Sequence, residues 1–170
     1  MGLFTSTEFH SLEDLLVEQL QDLYDAENRL VDALPKMHDA ADSAELKAAF
    51  KEHLTETKGQ VNRLEKAFEM LGKDSKRESC EAMKGLVKEG EEVINASGDA
   101  SIKDAALIAA AQRVEHYEMA GYGSARNFAM RCGRDDIAHL LQETLDEEGG
   151  ANKKLTQIAE STVNTRAAHA

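Results

Sequence analysis

Glu115 and Glu118 stand one helical turn apart in the string AQRVEHYEMAGYG, which runs from Ala111 to Gly123. Glu118 falls inside the series Leu107, Ala111, Val114, Gly121, Ala125, whose three/four spacing marks one face of an α-helix. The series Leu16, Leu20, Leu23, Leu30, Leu34 near the other end holds one charged member in the same manner, Glu27. A carboxylate facing a helical core has to be paired, protonated or bound to a metal, because an isolated buried charge costs several kcal/mol even after relaxation. Two further acidic groups lie within reach of that chemistry. His53, Glu56 and Gln60 occupy adjoining turns at the flank of the stripe Leu46, Phe50, Leu54, Val61, Leu64, Phe68, Leu71, and ETLDEEGG supplies Glu143, Glu147 and Glu148.

One offset, 91 residues, lays Glu27 on Glu118 and Glu56 on Glu147, and with them Gly59 on Gly150, Leu54 on Leu145 and Leu64 on Leu155. Four inward carboxylates, one from each of four helices, are what a dinuclear metal site in a bundle requires. Hard oxygens bridge two divalent ions and offset their charge, while imidazole or further carboxylate completes the coordination. On this reading Glu27, Glu56, Glu118 and Glu147 are the four, Glu115 is a further ligand and His53 the imidazole. Plainer roles compete. Glu115, Glu143 and Glu148 taken singly fit a solvated helix face. Glu27 and Glu118 fit buried ion pairs with Arg29, Arg113 or Arg126, and His53 fits a hydrogen-bonded core histidine. Tyr24, one turn before Glu27, fits a packing role with its hydroxyl on a carboxylate, or an electron carrier beside a redox-active pair.

The elements that must position these groups are helices. One proline, eleven glycines, three Tyr, five Phe and no Trp, in a chain rich in Ala, Glu, Lys and Leu, give helix-bundle composition without strands. Ser11 followed by Glu13 and Asp14 starts the first helix, which Pro35 should kink or weaken near its end. Asp42-Ser43 caps a second helix, and Gly72 stops it. Residues 73–100 break the rhythm and read as a crossover with one short helix from Cys80 to about Ile94. A third helix starts near Ser101 and stops at Gly133; a fourth starts near Asp135, and VNTRAAHA reads as a fraying tail. Two helix pairs joined by a long crossover make the ferritin-like form of the four-helix bundle, here expected as a single domain over 1–170 with its core at about 11–163. The crossover should run the length of the bundle and leave the second and third helices parallel.

A net charge of −12 would repel phosphate backbones, so nucleic acid is not an expected partner. No apolar run reaches the length of a membrane span, the N-terminus lacks signal-peptide character, and Cys80 and Cys132 form neither a CxxC pair nor a disulfide framework, which together predict a cytoplasmic protein with two free thiols. Met1-Gly2 with Ser6 meets the short myristoylation pattern MGxxxS, which chance meets easily.

The strings LQDLYDAENRL, HLTETKGQVNRL, EAMKGLVKEGEEVI, DAALIAAAQRVEHYEMAGYG and LLQETLDEE resemble the YciF-like (YciE/YciF) bacterial stress proteins of the ferritin-like, rubrerythrin-related superfamily. The resemblance runs from about Ser11 to Val163. It implies a cytoplasmic homodimer of four-helix bundles with a dimetal centre of iron or manganese, linked to stress and acting on a small oxidant such as peroxide or oxygen. The superfamily pattern makes Glu27, Glu56, Glu115, Glu118 and Glu147 the ligands. Its Glu-x-x-His motif would place histidine at 59 and 150, where this chain has glycine, so the implied site is rich in carboxylate. A metal-free helical dimer serving as a stress-induced scaffold is the alternative.

Overall fold

The computed structural model describes residues 8–170, and the MGxxxS pattern lies outside them. Helix α1 (Leu12–Ala40) begins where the Ser11 side chain accepts the Asp14 N–H, and it continues through Pro35. A three-residue turn leads to α2 (Ala44–Leu71), capped by Ser43 and ended by Gly72 at a left-handed φ of 65°, which only glycine adopts without a Cβ clash. The crossover carries α3 (Glu81–Ile94). Then come α4 (Ala100–Arg131), capped by Asp99, and α5 (Asp135–Ile158). There is no strand among the described residues, and both cysteines are free thiols.

Each long helix packs against two others: α1 against α2 and α4, α5 against α2 and α4. The contacts run in opposite directions along every such pair. Between α2 and α5, Glu52 meets Lys154, Gln60 meets Glu147 and Arg63 meets Thr144. Between α1 and α4, Asp22 meets Tyr117, while the backbone N–H groups of Asp42 and Ser43 donate to the Asp104 carboxylate at 2.8 and 2.7 Å. With α1 antiparallel to both, α2 and α4 are parallel, and residues 73–100 traverse the bundle's length, as the crossover pattern predicts. This is the ferritin-like four-helix bundle with an extra helix. Asp25 ties that helix down: it accepts the Cys80 N–H at 2.9 Å and pairs with Arg29 and Arg77.

Two apolar clusters fill the ends. Leu16, Leu20, Leu23, Leu64, Phe68, Ile137 and Leu141 form one, and Leu30, Leu34, Leu46, Phe50, Met83, Leu107 and Leu155 the other. Two sequence expectations need correction. The buried stripe of α2 passes through His53, Thr57 and Gln60, leaving Leu54 and Val61 half-buried, so the polar residues occupy the stripe's centre rather than its flank. The C-terminal segment is helical as far as Ala167, with Val163 its last buried residue. A π-helical turn (Ala159–Val163) leads into the short α6 (Asn164–Ala167), and the turn brings Val163 into the core beside Ile158.

Candidate metal centre

Between the two apolar clusters lies a layer of polar side chains drawn from all four long helices. Successive turns of one face place Glu115, Glu118 and Tyr122 on α4; His53, Thr57 and Gln60 on α2; and Thr144 and Glu148 on α5, while α1 contributes Glu27. Glu27, Glu118 and Glu148 have no exposed surface, and Glu115 and His53 almost none.

His53 is the hub. Its Nδ1 lies 3.3 Å from Glu56 Oε2, and its Nε2 lies 3.3 Å from Glu115 Oε1 and 3.7 Å from Glu148 Oε2. One ligand atom each from His53, Glu115, Glu118 and Glu148 fall within 4.8 Å of one another. Glu27 stands beside this group, its Oε1 accepting the Tyr122 hydroxyl at 2.5 Å. The remaining donor atoms are bare: Glu27 Oε2, His53 Nε2, Glu115 Oε2 and both oxygens of Glu118 and Glu148 are buried without a hydrogen-bond partner.

Unpaired buried carboxyls are held as acids. Burial first, and then the neighbouring carboxylates, push Glu27, Glu115 and Glu118 well above the ordinary carboxylate range. Burial raises Glu148 as well, with His53 pulling the other way. For His53, burial disfavours the charged ring, but the hydrogen bond to Glu56 and the charge of Glu148 outweigh it, so its pKa is raised; the bond to His53 correspondingly lowers Glu56. Burial and then Glu27 keep Tyr122 a neutral phenol that donates.

A divalent cation fits this set. Several converging oxygens and one imidazole nitrogen, desolvated and facing one another without hydrogen bonds, are what such an ion would satisfy, at the expense of their protons. Orphaned buried acceptors are otherwise rare in native proteins. The buried His/Glu group could therefore hold a metal ion.

Of the residues singled out in the sequence, Glu27, His53, Glu115 and Glu118 come together here. Glu115 faces inward rather than toward solvent, and His53 lies in the core. Glu56 is half-buried on the outer side of His53. Glu147 points elsewhere: Arg63 holds both its oxygens, at 2.7 and 2.5 Å, and Gln60 adds a third bond. Its neighbour Glu148 stands in the cluster instead. No arginine reaches ion-pair distance of Glu27 or Glu118 among the described residues: Arg29 is bound to Asp25, Arg126 to Gln142, and Arg113 is exposed. Tyr24 takes the packing role, its hydroxyl on Glu65 and its ring edge-on to Phe68. Sequence reasoning passed over Tyr122, although its position one turn after Glu118 was the available signal. From the surface, a cavity of about 240 Å³ between α2 and α5 reaches His53 and Glu115.

Comparison with known proteins adds a family. Residues 11–168 match a family described as a domain of unknown function, DUF892. The chain is 43% identical over 158 residues to protein YciF of Escherichia coli K12, covering 92% of this chain and 95% of that protein. The crystal structure of that E. coli stress protein matches with a TM-score of 0.88, over 92% of this chain and 99% of the other. YcfI of Rhodopseudomonas palustris, provisionally described as a structural protein, matches with a TM-score of 0.87 at 41% identity, again over 92% and 99% of the two chains.

Proposed function

The chain belongs to the DUF892 family, and as a member of it we propose that it is a divalent-metal protein of the bacterial stress response that handles peroxide or oxygen. One observation carries the reading: four ligand atoms from three helices within 4.8 Å of one another, in a layer where both oxygens of Glu118 and Glu148 and one each of Glu27 and Glu115 are buried without a hydrogen-bond partner. The description of the E. coli relative as a stress protein supports the setting.

His53, Glu115, Glu118 and Glu148 would hold one ion. Glu27, whose Oε2 is also buried without a partner, would contribute to holding a second. When bound, iron or manganese supplies Lewis acidity and reversible electron transfer toward a small oxidant. The chain's own residues do the rest. Glu56 accepts a hydrogen bond from His53 Nδ1, which turns Nε2 toward the carboxylates and fixes the ring plane. Tyr122 holds one oxygen of Glu27 and leaves the other free. The apolar clusters above and below exclude water, so the acids stay protonated until a cation replaces their protons. A cytoplasmic homodimer is the assembly that goes with this reading. Among the described residues no helix is long and apolar enough to cross a membrane.

Elemental analysis of protein purified without chelator tests the proposal, together with melting curves in the presence of Mn(II) or Fe(II). About two ions per chain and a raised melting point are expected. No bound metal and an unchanged melting point would favour the second reading, a metal-free helical scaffold. That reading draws on the description of YcfI as a structural protein.

A further inference from the structure

Gly149 and Gly150 interrupt the middle of α5, where glycine is the least helix-favouring residue after proline. Gly150 has no backbone reason to be glycine, for its φ is not positive. Packing does not require it either: a Cβ built there meets no atom within 4 Å. What lies beside it is the α2/α5 cavity, which Gly150 lines together with Ala151, Ala49 and Phe50.

The floor of that cavity is His53 and Glu115, both more than nine-tenths buried, with His53 Nε2 and Glu115 Oε2 lacking partners. Its rim carries the carboxylates of Glu52, Glu56 and Glu147; Lys154 pairs with Glu52 and Arg63, just outside the lining, with Glu147, which leaves Glu56, bonded to His53, as the rim carboxylate without a Lys or Arg partner. The cavities beneath α3 and beside Pro35 are lined by none of Glu27, His53, Glu115, Glu118 or Glu148.

We propose that the α2/α5 cavity is the port through which a divalent cation reaches the buried carboxylates, and that Gly150 keeps its mouth open. The inference rests on the metal reading above and adds a route to it. An acidic rim raises the local concentration of cations. Behind it, Glu115 is the first carboxyl on the path, and Glu118 and Glu148 lie within ligand distance of it. A large side chain at 150 would fill the mouth while leaving all the donor atoms in place. Because any such residue favours the helix more than glycine does, the variant should fold.

The test is Co(II) uptake by metal-free protein, followed by ligand-field absorption in a stopped-flow instrument, for the wild type, Gly150→Leu and Gly59→Leu. Gly59 is the counterpart of Gly150 under the 91-residue offset; it too has open space at its Cβ but lies outside the cavity. All three proteins should reach the same Co(II) content. Gly150→Leu should load at least about tenfold more slowly, Gly59→Leu at the wild-type rate, and Lys154→Ala about twofold faster at low salt. Full loading of Gly150→Leu at the wild-type rate would overturn the port while leaving the metal reading intact. So would Gly150→Leu that never loads although the wild type does, since the residue would then act on the site itself. A wild type that takes up no Co(II) would overturn the metal reading and the port with it.

Discussion

Under the 91-residue offset, many buried positions of α1 and α2 coincide with buried positions of α4 and α5, although Asp25 and Ala33 fall on the exposed His116 and Ser124. Leu16 meets Leu107, Leu23 meets Val114, Glu27 meets Glu118, and Leu64 meets Leu155. The two helix pairs thus share a frame, but they do not share its chemistry. Where the first pair has Tyr24 and Thr57, the second has Glu115 and Glu148; where the first has His53, the second has Thr144. Three of the four carboxylates in the polar layer therefore come from the second pair, and the first supplies the imidazole and Glu27. Glu56 and Glu147 also correspond, and both are half-buried at the edge, one on His53 and the other on Arg63. A repeated frame can thus hold an unsymmetrical site, because changing the inward residue at a few matched positions leaves the packing around them in place.

The largest expected effects test which half holds the metal. With Mn(II) at about a hundredfold over Kd, binding should add roughly 3 kcal/mol of stability, visible as a raised melting point. Glu118→Ala or Glu148→Ala, in the second pair, should remove that gain entirely. Glu27→Ala, in the first, should keep the part due to an ion at His53, Glu115, Glu118 and Glu148. Equal losses from both halves would break the comparison.

The metal-free protein should show the cost of the crowded half in its pH dependence. Unfolded glutamates titrate near 4.5, whereas Glu27, Glu115 and Glu118 titrate well above that when folded, so over this window the folded state binds more protons. Its stability should fall as pH rises from about 4.5 through the raised values. His53, raised above its usual 6.5, acts in the same direction. Melting in chelator at a series of pH values should give a higher midpoint near pH 5.5 than near pH 8.5, and Glu118→Gln should flatten the slope. A rising slope over that range would contradict the burial of protonated acids.

Smaller effects bear on the frame itself. A Cβ at Gly121 would sit 2.8 Å from Leu23 Cδ2, across the contact between the two halves. Gly121→Ala should therefore destabilise by about 1 kcal/mol, overpacking outweighing the better helix propensity, as a denaturant midpoint would report. Last, Glu147→Gln should leave the metal-dependent gain unchanged and lower stability by no more than about 1 kcal/mol, since it weakens only a partly exposed ion pair. A lost metal response would restore Glu147 to the ligand set.

The bundle, its crossover and two of the inward carboxylates were legible in the sequence. Local rules suffice for these: Ser11, Ser43 and Gly72 mark helix ends through bonds made within one turn, and Glu27 and Glu118 interrupt apolar series of several turns each, so their direction follows from the helical period alone. Glu148 was not legible. In ETLDEEGG the acids at 143, 146, 147 and 148 cover most of the helix circumference, and the glycines that follow give no apolar mark from which to measure the angle. The choice between Glu147 and Glu148 is set by where α5 docks on α2, since Arg63 captures the first and thereby turns the second inward. The central position of His53 has the same origin. Adjacent turns of α2 offer two adjoining faces, one through Leu54 and Val61 and one through His53, Thr57 and Gln60, that differ by about a quarter of the helix circumference. Periodicity narrows a residue to a face, but only contact with the neighbouring helices, which the local sequence does not encode, selects which of two adjoining faces enters the core.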